Sequence, residues 1–406
     1  MCIRRGSAAL LVSALLLTAC TGSASITPSA PAQPAPPAGA AVAPPAAAAA
    51  PAAPPAAAAP PSAGMGAGGV TPAPLNPPVT IRLGDAYLIT HSGLYVAMER
   101  GYFQEEGIEL DTTRATTFGD ELGPLAGGTL DIGWAPGADP GLYNALARGV
   151  GVRFVGCYSS VQPTGQGSNI AGLAVRQDHV ESGRYRDPAD LKGFTVALPG
   201  TPGNLSDYQM ERWLARGGLT PADYTREQLP IPDILPALGN KRVDAGYLAN
   251  PFVYLVKQRG VGTVVEHSTS VFSAGSCAQS IIVSESFATQ QPEAVRRYVT
   301  AWLRGQRDYY RAIEKGEGDP GPILEILTRY TALQDLGLYE AMMKDNGLNH
   351  VDPNGGAPLQ RLVQDAAPVQ EYFVRVGHLP QPVDLGPAVD SSFLDYALQR
   401  LGRIPS

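Results

Sequence analysis

No charged side chain occurs between Arg5 and Arg82, and this gap divides the chain into two parts with different physical properties. Residues 27–78 are mostly Ala and Pro, and the prolines prevent the Ala runs from joining into one long helix. This composition lacks the apolar bulk to fold alone, and some 50 extended Pro-rich residues reach on the order of 150 Å. We therefore predict a semi-stiff tether, or a low-complexity segment without a defined reach, before a folded part large enough for two lobes.

The first 20 residues have the organisation of a secretory signal. Two adjacent arginines precede a small, apolar stretch over residues 7–17, which is too short to span a membrane as a helix. The sequence Leu-Thr-Ala-Cys ending at Cys20 resembles the bacterial lipobox, which implies cleavage before Cys20 and its acylation. We expect a lipoprotein signal peptide over residues 1–19 and a lipidated tether over 20–78, with an ordinary soluble signal as the alternative. The lipid would hold the chain on the cell envelope membrane, with its folded part outside the cytoplasm.

The cysteine content is consistent with export. Cys2 leaves with the signal and Cys20 takes the lipid, so Cys157 and Cys277 remain. Two cysteines in an oxidising compartment suggest one disulfide, and two buried free thiols are the alternative.

Several classes of function are disfavoured by charge and motif content. The net charge of −7 argues against broad nucleic-acid binding, which needs a basic patch. The sequence contains no nucleophile elbow, Walker loop or dinucleotide fingerprint. Its five histidines are scattered without metal-ligand spacing. We therefore expect no enzyme activity, no cofactor and no bound metal.

Short strand-like runs alternate with helix-like segments along the folded part. Val79–Leu83 and Ile108–Thr112 are strand-like and flank a predicted helix over Ser92–Arg100. The alternation continues through nine predicted strands before the chain becomes helix-rich after Pro292. Thr220 is followed by Pro, Ala and Asp, which predicts another helix start. This alternation of strands and helices predicts an α/β fold with mainly parallel sheets.

Four segments carry a family resemblance. Residues 94–110 resemble the opening helix and strand of the periplasmic solute-binding proteins that serve nitrate, sulfonate and taurine ABC importers, a group that includes thiamine-precursor binding proteins. Residues 127–133, 190–196 and 239–245 resemble later pieces in family order. The resemblance covers about residues 79–300. It implies a monomeric receptor that captures a small molecule and delivers it to an ABC permease.

The resemblance also implies an architecture, a two-lobed clamshell whose chain crosses between the lobes twice. Residues 79–172 would begin the first lobe, and residues 173–280 would form the second. Residues 281–406 would return to the first lobe and end in a helical C-terminal extension. Cys157 and Cys277 would each fall just before a crossing, which favours a disulfide near the hinge.

The ligand site is expected beyond the carboxyl ends of the strands. This rule selects four loops, two in each lobe: residues 84–92, 134–139, 199–206 and 248–251. The candidate ligand-binding residues in or beside these loops are Tyr87, His91, Trp134, Thr201, Gly203, Asn204, Tyr247 and Asn250.

Each candidate has a structural alternative. The ring of Trp134 can stack on a flat solute or fill the core, and His91 can donate to an anionic group or cap a helix. The turn over residues 200–206 enters a helix whose free N–H groups suit an anion. In this turn, the resemblance favours Thr201, Gly203 and Asn204 as contacts. Ser206 and Gln209 also match a capping box.

The solute class stays broad at this level. The four loops contain no Lys or Arg, which weakens the case for an anion held by a salt bridge. Sulfonates, carboxylates, nitrate-like anions and heteroaromatic compounds remain candidates. The first alternative function is a binding protein that hands an apolar or lipid-like cargo to a non-ABC envelope partner. The second is an enzyme on the same fold.

Overall fold

A computed structural model describes residues 72–115, 118–161, 171–345 and 347–405. The predicted signal peptide, Cys20 and most of the tether lie outside the described residues. The strands are β1 (Val79–Asp85), β2 (Ile108–Arg114), β3 (Ile132–Pro136), β4 (Val152–Ser160), β5 (Ala171–Arg176), β6 (Thr195–Leu198), β7 (Thr225–Gln228), β8 (Ala245–Ala249), β9 (Gly262–His267) and β10 (Cys277–Ser284). The α-helices are α1 (Ser92–Glu99), α2 (Tyr102–Glu105), α3 (Gly119–Ala126), α4 (Pro140–Ala147), α5 (Gln177–Glu181), α6 (Leu205–Arg216), α7 (Ile231–Gly239), α8 (Phe252–Gln258), α9 (Glu285–Gln290), α10 (Pro292–Tyr309), α11 (Gly321–Tyr330), α12 (Leu336–Lys344), α13 (Ala357–Arg375) and α14 (Ser392–Leu401).

The strands form two five-stranded sheets, one in each lobe. The first has the order β2-β1-β3-β10-β4 and the second β7-β6-β8-β5-β9. This two-lobed α/β architecture with a helical C-terminal part confirms the predicted fold class. Four strands of each sheet run in one direction, as predicted, whereas β10 and β5 each run antiparallel to both neighbours. Each of these strands follows a crossing between lobes, so it enters its sheet from the hinge and opposes the βαβ strands.

The chain changes sheet slightly earlier than the resemblance implied. The first change occurs between the end of β4 at Ser160 and the start of β5 at Ala171. The second occurs between the end of β9 at His267 and the start of β10 at Cys277. The expected limits at 172/173 and 280/281 therefore fall inside β5 and β10.

Nine strands lie where the alternation placed them, and β7 was missed. Thr220 begins only a single 3-10 turn, Pro221–Asp223, and the chain then enters β7 (Thr225–Gln228). The predicted helix at this point is therefore wrong. The sequence of β7, Thr-Arg-Glu-Gln, has no apolar residue and pairs only with β6 at the edge of the sheet. A polar edge strand of this kind lacks the hydrophobic alternation that identifies strands.

The C-terminal helices complete the first lobe and also reach the second. Helix α10 packs closely on α1, since a Cβ on Gly305 would lie 2.2 Å from the Gly93 carbonyl oxygen. Helix α13 contacts β4 and β10 of the first sheet and α6 of the second lobe. At its end, Arg375 lies 2.5 Å from Glu211 of α6. The C-terminal part therefore both supports the first lobe and bridges the two lobes.

A disulfide joins Cys157 on β4 to Cys277 on β10, with the Cα atoms 5.8 Å apart. Both strands belong to the first sheet. Cys277 therefore follows the second crossing, and the expectation that it precedes a crossing is wrong. The disulfide closes the loop that contains the whole second lobe.

Candidate functional site

A cavity of about 110 Å³ lies between the two lobes. The first lobe contributes the turn after β3 and the start of β10, and the second contributes α6 and β8. The two segments that connect the lobes and helix α13 complete the wall. The lining residues are Gly137, Ala138, Val161, Ala171, Leu205, Gln209, Tyr247, Ser268, Phe272, Ser276, Cys277, Ala278, Leu362, Asp365 and Val369. A mostly apolar space at a domain interface is a common position for a small-molecule site.

Three polar side chains in the cavity wall bond to one another. Gln209 donates from Nε2 to the Tyr247 hydroxyl at 3.2 Å. The Ser268 hydroxyl lies 3.0 Å from Gln209 Oε1 and 2.8 Å from the Ala171 carbonyl oxygen. Burial raises the pKa of Tyr247 to about 12, so its phenol stays neutral at physiological pH. These three side chains place neutral polar groups in a mostly apolar cavity wall.

Two other polar side chains of the wall retain free atoms. Asp365 pairs through Oδ1 with Arg361 at 3.3 Å, whereas its buried Oδ2 has no hydrogen-bond partner among the described residues. The buried Ser276 hydroxyl likewise has none within that part of the chain. The described lining residues include no Lys, Arg or His. The wall therefore offers hydrogen-bond acceptors and no cation.

The predicted loops after β3 and β6 face each other on the outer side of this cavity. They line a second depression of about 290 Å³, which includes Pro136, Asp139 and Asn204. The depression shares Ala138, Leu205 and Tyr247 with the cavity, so the two spaces adjoin. Of the predicted residues, Tyr247 lines both spaces and Asn204 lines the outer one. Their contact with a ligand stays a prediction.

Asn204 is also the N-cap of α6. Its Oδ1 accepts from the backbone N–H of Ser206 at 2.7 Å and of Asp207 at 3.3 Å. In return, Asp207 Oδ2 accepts from the Asn204 N–H at 3.3 Å. The capping box therefore joins Asn204 and Asp207, and its predicted assignment to Ser206 and Gln209 is wrong. Gln209 instead faces the cavity.

Gly203 and Thr201 belong to the turn before α6 without lining the cavity. Gly203 has a φ of 87°, and a Cβ there would lie 2.7 Å from the His378 ring. Only glycine therefore fits beneath this ring without displacing it. Thr201 is exposed. Ligand contact by either residue remains a prediction.

Tyr87, His91 and Trp134 do not line the cavity. His91 is fully buried, its Nδ1 lies 2.5 Å from Asp85 Oδ1, and its ring stacks on Tyr158 at 4.3 Å. Trp134 is 7% exposed and packs edge-on against His91 at 5.7 Å. Tyr87 is half-buried with a φ of 56°. In this arrangement His91 and Trp134 serve the core of the first lobe, which is the structural alternative considered for Trp134.

Glu121 is a buried acid that the sequence did not single out. It is 1% exposed, and its Oε2 accepts from the Trp134 backbone N–H at 2.9 Å. Burial raises the pKa of the Glu121 carboxyl to about 8. The carboxyl is therefore largely protonated at neutral pH. It lies in the interior of the first lobe and does not line the cavity.

Asn250 lies in a different groove of about 710 Å³, which is lined mainly by α8 and β9. Its Nδ2 donates to the Gly347 carbonyl oxygen at 3.1 Å. Asn250 therefore ties the second lobe to the C-terminal part instead of lining the cavity between the lobes.

Several residues of the cavity wall were missed because they come from the lobe connections and from α13. These residues are Val161, Ser268, Phe272, Ser276, Leu362, Asp365 and Val369. Val161 and Ser268 directly follow β4 and β9, whose loops were not among the four selected. The other residues lie away from the carboxyl ends of strands, and no motif marks α13. The sequence did contain one signal for these segments. The break between its two blocks of alternating strands and helices marks the approximate position of the lobe connections.

Comparisons with known proteins identify the family of the chain. Residues 89–312 match the protein family described as NMT1/THI5 like. The chain belongs to this family. The riboflavin-binding protein RibY of Chloroflexus aurantiacus is 31% identical over 242 residues, which cover 58% of this chain. The match spans 65% of RibY, slightly less than two thirds of its length.

Two further proteins are similar over different extents. The formylaminopyrimidine-binding protein of Halalkalibacterium halodurans is 33% identical over 114 residues, or 28% of this chain and 31% of that protein. The crystal structure of the periplasmic aliphatic sulphonate-binding protein SsuA of Escherichia coli aligns with a TM-score of 0.60 and 17% identity. That alignment covers 78% of this chain and 99% of SsuA. The fold is therefore that of the periplasmic binding proteins, as the resemblance implied.

Neither a membrane-spanning helix nor a metal-binding cluster occurs in the described ranges. None of the helices there combines the length and apolar character needed to cross a bilayer. No group of three or more His, Cys, Asp or Glu side chains in the same ranges is placed to hold a metal ion.

Proposed function

We propose that this chain is a lipid-anchored extracytoplasmic receptor that captures a small organic solute between its lobes and delivers it to an ABC importer. The cavity between the lobes carries this proposal, because both lobes and both connections contribute to its wall. Closure of two lobes on a ligand is an established kind of domain motion. Membership of the family and the periplasmic-binding-protein fold support the receptor role. The lipobox-like sequence at Cys20 supports the anchor.

The cavity wall favours an uncharged, largely apolar solute over nitrate or a sulfonate. Its described polar groups are hydroxyls, an amide and a carboxylate, and no described Lys, Arg or His lines it to pair with an anionic ligand. RibY and the formylaminopyrimidine-binding protein carry the names of nitrogen heteroaromatic ligands. We therefore place a heteroaromatic solute first among the candidates.

Thermal unfolding of the purified chain tests the proposal against riboflavin, an aminopyrimidine, an aromatic carboxylate, taurine, nitrate and a phospholipid. A ligand at about 100 times its Kd adds roughly 2.7 kcal/mol of stability. For a protein of this size we expect the melting temperature to rise by roughly 5–10 °C with one heteroaromatic compound. The Ala278→Phe variant fills the cavity and should lose this shift, whereas Ala278→Ser should keep it.

The fate of the bound compound separates the alternatives. Recovery of the compound unchanged is expected of a receptor, whereas its conversion would favour an enzyme on the same fold. A shift with phospholipid alone would favour the transfer of apolar cargo to a non-ABC partner. No shift with any compound would contradict the assignment of the cavity as the binding site.

A further inference from the structure

We propose that Asp365 and Ser276 form the specificity-determining acceptor pair of the cavity and bind an N–H or O–H donor of an uncharged solute. This inference rests on the proposed receptor function and adds the chemistry by which the receptor selects its ligand. It assigns that role to helix α13 and to the connection before β10, two segments outside the loops that strand topology selects.

Asp365 has one occupied and one free carboxylate oxygen. Its Oδ1 lies 3.3 Å from Arg361 Nη2, and its buried Oδ2 has no partner among the described residues. Arg361 also donates from Nη1 to the Ala274 carbonyl oxygen at 2.5 Å, which ties α13 to the connection between the lobes. Because Arg361 already balances the carboxylate charge, the free oxygen suits a neutral donor better than a second cation.

Ser276 places a second free polar atom in the same cavity wall. The residue is 3% exposed, and its hydroxyl has no partner within the described ranges. Its backbone is fixed on both sides, since its N–H donates to the Ser273 carbonyl at 3.0 Å and its carbonyl accepts from the Val161 N–H at 2.8 Å. Backbone bonds therefore hold Ser276 in place while its side chain remains free. A hydroxyl can both accept from a ligand and donate to it.

The remaining polar groups of the wall are already engaged with each other. Gln209 uses its amide nitrogen for Tyr247 and its amide oxygen for Ser268. An unpartnered buried acceptor costs folding free energy that a suitable ligand donor recovers on binding. A ligand that lacks the donor would leave Asp365 Oδ2 unpaired, so the site should reject it strongly although its size and shape are the same.

The experiment compares two matched pairs of probes by titration calorimetry. The first pair is lumiflavin and 3-methyllumiflavin, which lacks the one N–H donor of its parent. The second is 4-amino-2-methylpyrimidine and 2,4-dimethylpyrimidine, measured at a pH where both rings are neutral. We expect the wild-type chain to bind the donor-bearing member of at least one pair on the order of 10–100 times more tightly.

Two variants and a control locate the source of this preference. Asp365→Asn and Ser276→Ala should each reduce the affinity ratio of the pair, and the larger loss, about tenfold or more, is expected for Asp365→Asn. Glu371→Gln removes an acid from the exposed face of the same helix and should leave the ratio unchanged. Melting temperatures without ligand should remain within a few degrees of wild type, because Asn can keep Oδ1 as an acceptor for Arg361 and neither free atom has a partner to lose.

Three results would overturn the inference. The first is equal affinity for both members of each pair, and the second is an unchanged ratio in Asp365→Asn. The third is binding of taurine or nitrate with no binding of any probe, which would leave the receptor function intact and remove only the acceptor-pair assignment. Failure of every compound to bind would count against both the inference and the receptor function.

Discussion

The two lobes share one strand order, but the pKa values of two acids, one in each lobe, shift in opposite directions. In the first lobe, Glu121 has no ion-pair partner among the described residues, and burial raises its pKa to about 8. In the second lobe, burial would also raise the pKa of Asp244, but hydrogen bonds outweigh it. The Thr195 N–H donates to Asp244 at 2.9 Å and His179 Nε2 lies 2.7 Å away, so the pKa of Asp244 is lowered overall.

This difference shows that the sheet framework does not determine the charge of an acid packed against it. The donors and cations nearby do so, and Arg184 adds to them at 3.8 Å from Asp244. The contribution of Glu121 should therefore be lost as the pH rises, and that of Asp244 should be lost as the pH falls.

Removal of the disulfide should have the largest effect on stability. The Cys157–Cys277 bond lies within the first sheet and closes a loop of 120 residues around the second lobe. The loop-entropy model predicts a loss of about 4–5 kcal/mol for the double substitution to alanine, measured by urea unfolding. A reducing agent should destabilise the wild-type chain similarly and leave the double variant unchanged. Equal stability of wild type and variant would show that the bond does not restrain the unfolded chain.

The second effect concerns Glu121 and distinguishes the first lobe. The pKa of Glu121 is about 8 in the folded chain and ordinarily 4.5. The protonated carboxyl therefore contributes fully to the free energy of unfolding below about pH 4.5, and this contribution is lost as the pH rises towards 8. The slope is at most about 1.4 kcal/mol per pH unit, which gives a few kcal/mol in total. Glu121→Gln should abolish this slope in urea unfolding, whereas Glu325→Gln, at an exposed site, should retain it. A slope that persists in Glu121→Gln would assign it to another group.

The parts of this molecule that could be predicted from sequence are those that a periodic pattern or a topological rule controls. Alternating apolar residues identified nine strands, but the polar edge strand Thr225–Gln228 has no such pattern. The rule of carboxyl strand ends brought together two facing loops and Tyr247. It missed Ser276 and Asp365, because a lobe connection and a distant helix place them in the cavity. His91 was predicted as a ligand contact because a polar side chain after a strand is equally compatible with such a contact and with a buried hydrogen bond, here to Asp85.

The smallest of the three effects concerns Asp244 and distinguishes the second lobe. Its lowered pKa means that its stabilising contribution is complete above the ordinary Asp value and is lost as the pH falls through the folded value. Asp244→Asn should therefore lower stability by about 1–3 kcal/mol at neutral pH, because the His179 and Thr195 N–H groups lose a charged acceptor. The variant should also show a weaker decline in acid.

Urea unfolding between neutral and acidic pH measures both quantities, with Asp233→Asn as the exposed control in the same lobe. The double variant with Glu121→Gln makes the contrast between the lobes decisive. The two sites lie in separate lobes, so their effects should add, and the double variant should be flatter than wild type on both sides of its stability profile. A double variant that is flatter than wild type only on the alkaline side would mean that the charge of Asp244 does not stabilise the second lobe.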